Sequence, residues 1–514
     1  MTFKISHLVL GIFCLAVCVL SFFTVVNYPG HAIIYALFTA ALNGLFILGF
    51  TKERIFFDTF IGIFLWLGFW LKFSVRVAFM GGNFHEPTGH FDGTGGAYDQ
   101  ALLVASCGVI ALLIAAFVRR KFLFSYGEVI KQPRLERIFS YYQKSRKIIL
   151  ALFIFVVGII VVTNGIFGIY QRGTVPRTIL PFGLSGVYTW LLLFGLASVS
   201  AVILDCEFRM KKNPYLASFI GLLECFFSNA SMLSRGMILN GGSLMIGAID
   251  NAKKRFIDLG FGYQLIVLVV FGILFVSSVF VVNYIRGYTI ISSVVDAAVQ
   301  RSKELKSEAI KSEAVKSKKL DSPELNVKPL DHSQLNSMAL KLSVKTSKPL
   351  MLDRWVGMEG TMAVSSYPGL GWDLWIRAWQ ERYSHTGTSM YDLTFIKSPY
   401  LQVDMSKHHF IGLPGILAFF YYPGSFPFLF FSMLLLGFLG AGIEMSVYKL
   451  SGGNIILCSL IAQVVAYRFA HFGYVPYQSY LLFGSIFLNV LIIFSVDRYL
   501  GVRNRKRPDG QMTS

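Results

Sequence analysis

The sequence contains few charged residues: only 15% of its 514 residues are Asp, Glu, Lys or Arg. Acidic residues are the scarcer kind, at 28 against 47 basic ones. The chain also lacks a glycine-rich phosphate loop after a predicted strand, which argues against a cytosolic ATPase or sugar-nucleotide domain. Cysteine is rare, and the six cysteines lie in or beside apolar runs without the spacing of a disulfide framework or a zinc site.

Long apolar runs are what the chain has instead. Hydrophobic residues make up 54% of the sequence, including 48 Phe. Because an apolar stretch of about 20 residues crosses a bilayer core of about 30 Å, these runs predict an all-α, polytopic transmembrane helical bundle with about 12 spans. The first run ends near Val26 without a small-x-small cleavage site, so we interpret it as a membrane helix and not as a signal peptide.

The basic residues predict how this bundle is oriented. The net charge of +19 would suggest nucleic acid as the partner of a soluble protein, but Lys and Arg collect on the cytoplasmic loops of membrane proteins. With a cytoplasmic N-terminus, most basic residues of the loops and tail fall on that side. The sequence therefore predicts that both termini are cytoplasmic. Outside the long loop, the exceptions on or near the other side are Lys72, Arg76, Arg172, Arg177, Arg235 and Arg468.

Three regions follow from this pattern. Residues 1–284 form the N-terminal membrane helices, 285–424 a long external loop, and 425–514 the C-terminal helices with a basic cytoplasmic tail. Within the loop we expect a solvated helix or mobile linker rich in Lys, Ser and Glu (300–350), a folded aromatic-rich part (351–410), and a re-entrant or interfacial segment (411–424).

Arginines at the predicted external helix ends are the strongest candidates for binding. The loop from Arg172 to Gly183 holds two arginines, two prolines and two glycines between long apolar runs. A guanidinium group offers a fixed fork of donors that matches phosphate oxygens, so we expect an anionic partner. The alternatives are snorkelling at the interface and ion pairs with loop carboxylates. The full set of candidates is Arg172, Arg177, Arg235, Arg286 and Arg354.

Four residues are candidates for a general base. Glu224 lies inside an apolar helix, where a carboxylate is costly unless it is functional or paired, for example with Arg235. His408 and His409 precede the segment 411–424, and Glu359 competes with them for the same role. Polar interface residues without chemistry remain the alternative for the histidines. By contrast, we expect Glu444, near a helix end, to be solvated.

No metal or cofactor is predicted. The loop 76–98 contains His85, Glu86, His90 and Asp92, but their spacing follows no strong metal-binding pattern.

The architecture resembles that of Wzy-type O-antigen or oligosaccharide repeat-unit polymerases of bacterial inner membranes. The similarity lies in the dozen helices, the large external loop late in the chain, and the Arg-x10-Gly spacing from Arg172 to Gly183. The sequences Ser234-Arg235-Gly236 and His409 to Gly424 are also similar. Two features depart from the family: Ser365 stands where that spacing from Arg354 needs glycine, and the Lys/Ser/Glu linker is unexpected.

The resemblance implies an enzyme that joins glycan repeat units carried on polyprenyl diphosphates, outside the inner membrane. The acceptor hydroxyl would attack the donor sugar, and polyprenyl diphosphate would leave. Arginines would hold the diphosphates, and a carboxylate or histidine would accept the proton. The bilayer and a protein that regulates chain length are further expected partners. The alternatives are an O-antigen ligase, a glycosyltransferase that uses polyprenyl-phosphate monosaccharides, and a transporter or flippase of lipid-linked glycan.

Overall fold

The chain folds as a bundle of helices in the computed structural model, which confirms the predicted all-α membrane architecture. No strand is formed in the part of the chain that the structure describes. The structure describes all residues except 1, 52–53, 124–125, 127–134, 211–213, 237, 256, 258, 314–335, 339, 342, 345–352, 384–387, 397–410 and 506–514.

Seven of the described helices are long and apolar enough to cross a membrane, and three shorter apolar helices accompany them. The two remaining predicted spans are helices of 17 and 16 residues, α7 and α8. In chain order the helices are α1 Thr2–Asn27, α2 Ala32–Leu48, α3 Phe56–Phe79, α4 Gly95–Phe122, α5 Glu136–Phe167, α6 Pro181–Arg209, α7 Tyr215–Ser231, α8 Leu239–Lys254, α9 Gly260–Glu313, α10 Met358–Ser365, α11 Trp372–Trp379, α12 Ile416–Phe420, α13 Phe426–Leu450, α14 Ile455–Ala470 and α15 Ser479–Arg505.

Ion pairs tie the helices together at one end of the bundle, which we name the basic end. Arg54 lies 2.6 Å from Asp250, and Arg119 lies 2.6 Å from Asp58. The same end contains three further pairs, Arg146–Glu207, Arg209–Asp205 and Arg255–Asp205. The arginines of these pairs hold helix ends together.

The expectation of a solvated Glu444 is wrong, because its side chain is buried at the basic end. Its carboxylate oxygens accept hydrogen bonds from the backbone N–H groups of Phe56 and Phe57, at 2.9 and 2.7 Å, and from the hydroxyl of Tyr126. The first turn of a helix has N–H groups without intrahelical acceptors, and a carboxylate placed there satisfies them. Glu444 therefore caps α3 from the neighbouring helix α13.

Three π turns interrupt the described helices: Trp66–Leu71 in α3, Leu191–Gly195 in α6, and Asp392–Ile396 in the long loop. The first also brings a loop close, since a Cβ atom added at Gly68 would lie 2.0 Å from the carbonyl oxygen of Val356. Turns of this kind are rare and occur frequently at functional sites. Leu193 and Ile396, from the second and third turns, line the cavities described below, and Lys72, which follows the first, does so too.

The segment 411–424 enters the bundle and turns back. Its only helix, α12, is one turn long, and the backbone N–H of Gly415 donates to the carbonyl of Phe472 at 3.0 Å. A Cβ atom added at Gly108, halfway along α4, would lie 2.4 Å from Leu417 Cδ2. Non-helical backbone at such depth is tolerated only where protein surrounds it or where it lines a cavity. Both conditions hold here.

The boundary that we expected at residue 285 is not a helix end, because α9 continues from Gly260 to Glu313. The first part of the predicted linker 300–350 is therefore helical, and residues 314–335 and 345–350 lie outside the described residues. The aromatic-rich part contains α10 and α11.

Candidate functional site

Two adjoining cavities lie at the end of the bundle opposite the basic end. The larger, which we name the arginine cavity, has a volume of about 550 Å³, and the smaller, the carboxylate chamber, about 210 Å³. Only the side chains of Ile411, Leu413 and His471 line both, so they separate the two spaces. Together the volumes fall in the range of pockets that bind a small organic ligand.

The arginine cavity is built from the loop after α5, the end of α14 and the walls of α6, α9 and α15. Arg172, Arg286 and Arg468 supply its charge, and its apolar wall consists of Leu193, Val464 and Leu482. A cavity with cations at one side and hydrocarbon at the other matches an amphiphile with an anionic head.

Arg286 holds the loops around this cavity in place. Its Nε and Nη2 atoms donate to the carbonyl oxygen of Leu233, at 3.0 and 2.6 Å, and Nη2 also donates to that of Arg172, at 2.7 Å. The backbone N–H of Arg172 donates to Met232 at 2.8 Å. One guanidinium group thus connects the loop after α7 to the loop after α5.

Arg354 lines the carboxylate chamber, and the end of its guanidinium group makes no hydrogen bond within the described part of the chain. Its Nη1 and Nη2 atoms are both buried. Its Cζ atom lies 5.1 Å from the ring centre of Phe275 and 5.4 Å from that of Trp355. Burial, with a smaller contribution from the positive charge of Arg235, lowers the pKa of Arg354 to about 10. A buried cation without a hydrogen-bond acceptor is costly unless a ligand supplies one.

The arginines around the cavities differ from those of the basic end in whether they form an ion pair with a carboxylate. Among the described residues, no carboxylate forms an ion pair with Arg172, Arg286, Arg354 or Arg468, whereas the arginines of the basic end named above all have one. Arg468 instead donates to Ser479 Oγ at 3.2 Å and lies over the ring of Phe472 at 5.4 Å. Four arginines of the two adjoining cavities therefore have no ion-pair partner among the described residues.

The carboxylate chamber holds charges of both signs. Glu86, Asp353 and Glu359 line it, together with Lys72, Arg354 and aromatic side chains. Lys72 forms a buried ion pair with Glu359 and also donates to the carbonyl oxygen of Trp355 at 3.2 Å. One turn further along α3, Arg76 pairs with Asp353. Glu86, at the mouth, forms no ion pair with a described residue.

His471 stands between the two cavities. The residue follows the last turn of α14, and its Nδ1 atom lies 3.1 Å from the carbonyl oxygen of Tyr467. The ring also stacks on that of Tyr467, with the two centres 4.0 Å apart. Burial lowers the pKa of His471 to about 3, and the charges of Arg354, Arg172 and Arg468 act in the same direction. The imidazole is therefore neutral.

The structure brings together only part of the predicted set. Arg172, Arg286 and Arg354 line the cavities, and Arg235 is near enough for its charge to act on Arg286 and Arg354. Arg177 is exposed, with its side chain against Gly168, and does not line them. Of the two arginines within the Arg-x10-Gly spacing, one lines a cavity and the other does not.

The general-base candidates also differ in whether they line a cavity. Glu359 lines the carboxylate chamber. Glu224 does not line either cavity: it is buried in α7, accepts from Ser228 Oγ at 2.8 Å and lies 3.2 Å from Cys225 Sγ. The alternative that we considered, a pair with Arg235, is not formed. His408 and His409 lie outside the described residues.

Sequence reasoning did not select three lining residues, Lys72, Arg468 and His471, as site residues. A signal for the first two was present, because an ionisable residue within an apolar span is a functional candidate. His471 follows such a span without any motif around it. As for similarity to known proteins, no family model, no curated protein and no solved structure matches this chain.

Proposed function

We propose that the protein polymerises glycan repeat units carried on polyprenyl diphosphates, with the donor diphosphate held between the arginine cavity and Arg354 in the adjoining carboxylate chamber. The observation that carries the proposal is the buried guanidinium group of Arg354, whose terminal nitrogens have no hydrogen-bond partner among the described residues. Diphosphate oxygens would accept from this group and from Arg172 and Arg468. The apolar wall of the cavity, with Leu193 and Leu482, suits the start of a prenyl chain.

The acceptor sugar would occupy the carboxylate chamber. Its hydroxyl oxygen would lose a proton and attack the anomeric carbon of the donor, while the bond from that carbon to the diphosphate oxygen breaks and the diphosphate keeps the electron pair. The arginines would stabilise the charge that develops on this leaving group. Glu359, which forms an ion pair with Lys72, is the proposed proton acceptor among the residues that the sequence singled out.

The proposed location is the outer half of a bacterial inner membrane. The basic end carries the loops that the charge rule assigns to the cytoplasm, and the cavities lie at the opposite end. A site at that end would receive lipid-linked units from outside.

Orientation can be tested with reporter fusions. A periplasm-active reporter inserted at Lys319 should be active, and one at the C-terminus should be inactive, because the basic loops remain inside. The measurement is reporter activity at equal protein levels. A cytoplasmic signal at Lys319 would place the cavities on the wrong side for the proposed reaction.

The function itself can be tested by glycan profiling of a deletion strain that carries variants of the gene. Loss of a polymerase leaves one repeat unit on the acceptor, whereas loss of a ligase leaves none. Arg172→Ala should shorten the ladder toward one unit, with a fall in rate of about 100-fold for one lost transition-state donor. Arg172→Lys keeps the charge but loses the planar fork, so it should also be impaired.

The matched control is the double substitution of Lys211 and Lys212 by Gln, which removes charge from a basic loop and should leave the ladder unchanged at equal protein levels. Wild-type ladders from both Arg172 variants would show that this arginine does not hold the diphosphate. A glycan-free acceptor in the deletion strain would favour the ligase.

A further inference from the structure

His471 is fixed in one orientation by its neighbours. Because a carbonyl oxygen can only accept, the hydrogen bond to Tyr467 requires the proton on Nδ1. The stacked ring of Tyr467 and the buried position prevent the imidazole from rotating freely. In a neutral ring with this tautomer, Nε2 carries the lone pair. This nitrogen is the one that can accept a proton at the boundary of the two cavities.

Positive charges act on this ring from both cavities. Arg172, from the loop after α5, and Arg468, from the last turn of α14, line the arginine cavity, and Arg354, from the long loop, lines the carboxylate chamber. On the side of the carboxylate chamber, the charges of Lys72 and Arg76 are taken up by Glu359 and Asp353. The remaining titratable groups that line the two cavities are Glu86, Tyr170, Arg286, Tyr383, Tyr391, Tyr467 and Tyr474.

We propose that a diphosphate anion bound between Arg354 and the arginines of the arginine cavity makes His471 Nε2 the proton acceptor of the reaction, in place of Glu359, whereas the ring does not accept a proton while that anion is absent. This inference rests on the proposed function and adds a coupling to it: the bound donor itself creates the proton acceptor. The anion compensates the three guanidinium groups that oppose an imidazolium ion. An opposite charge at 4–6 Å favours the charged form of a group by about 1–3 pKa units.

This coupling requires the donor to bind before the acceptor hydroxyl can lose its proton. With the donor bound, His471 Nε2 can take the proton of the acceptor hydroxyl, while the hydroxyl oxygen bonds to the anomeric carbon and the diphosphate leaves with the electron pair. The imidazolium then faces a diphosphate anion and can pass the proton to it or to water. Without a donor, the ring has no affinity for the proton and the acceptor hydroxyl stays intact.

The test follows the ring directly, by NMR of the full-length protein in lipid nanodiscs with histidine labelled at ¹³Cε1. The chain has nine histidines, and the signal that disappears in His471→Gln identifies the ring. Inorganic pyrophosphate is the probe, and its ³¹P spectrum reports whether it binds. Without pyrophosphate, the signal of His471 should stay neutral from pH 8 to pH 5. With saturating pyrophosphate, its titration midpoint should rise by at least about two pH units and enter this range.

Arg354→Gln is the matched variant, because it removes one of the three opposing charges. Its ring should titrate at a higher pH than the wild type in the empty protein, and pyrophosphate should shift it less. If ³¹P spectra show bound pyrophosphate while the His471 signal stays neutral throughout, the coupling is overturned and the anion site stands. If pyrophosphate does not bind the wild type at all, the diphosphate site of the proposed function fails.

Discussion

Replacing Arg354 with methionine is expected to stabilise the protein and to abolish polymer synthesis at the same time. The guanidinium group is buried, and its Nη atoms have no hydrogen-bond partner among the described residues. Burying a charge without a counter-ion costs more than its contacts with the rings of Phe275 and Trp355 return. We expect a gain on the order of 1 kcal/mol in the free energy of unfolding. The measurements are the thermal unfolding midpoint of the purified protein and the glycan ladder.

Arg146→Met is the matched control at the basic end. Arg146 donates from Nε and Nη2 to the fully buried carboxylate of Glu207, at 2.6 and 2.9 Å. Removing it leaves that carboxylate without its counter-ion, which should cost on the order of 3 kcal/mol. A loss of stability in Arg354→Met comparable to that in Arg146→Met would mean that Arg354 has a structural partner, and the anion site would lose its main support.

Lys72→Met is expected to be the most destabilising of the single substitutions considered. The side chains of Lys72 and Glu359 are only 1% and 5% exposed, and they pair with each other. Removing one member leaves an uncompensated buried charge, which costs about 3–5 kcal/mol. The double variant Lys72→Met/Glu359→Leu should recover most of this loss, because both charges are gone. Thermal unfolding of the single and double variants measures the difference.

The same pair of variants separates structure from chemistry at Glu359. If Glu359 accepts a proton from the acceptor sugar, the double variant should be stable but inactive. A double variant that is stable and still makes long polymer would remove Glu359 from the mechanism. Glu359→Gln, which keeps the shape and loses the charge, should then be active as well.

The membrane helices could be predicted from the sequence because hydrophobic residues extend along the whole of each span. A run of apolar residues needs only enough length to indicate a span, and each predicted span is found as a helix. The error at Glu444 has a different origin. A residue near a helix end is solvated only if no other helix begins beside that end. Here α3 begins beside Glu444, and its first turn supplies N–H donors to the carboxylate. Which helix ends adjoin is a property of packing that no local pattern contains.

The site could be predicted in part for a related reason. Arg172 stands out because cations are unexpected in a short external loop, whatever its neighbours are. Arg177 satisfies the same rule and yet points away, since the direction of a side chain depends on the turn of the loop after Gly168. His471 has no unusual sequence context. Its place between the cavities arises because the end of α14 meets the segment 411–424.

The π turns have a consequence for the phase of the helices that carry them. A π turn holds one residue more than an α turn, so it offsets the side chains that follow by one position, or about 100° around the axis. In α3 this offset directs Lys72, after the π turn, toward Glu359. The backbone N–H of Phe57, before the π turn, still donates to the carboxylate of Glu444. Deleting one residue between Trp66 and Leu71 would restore a regular helix and rotate one half against the other. The one extra residue therefore lets one half of α3 contact Glu444 at the basic end while the other half lines the carboxylate chamber.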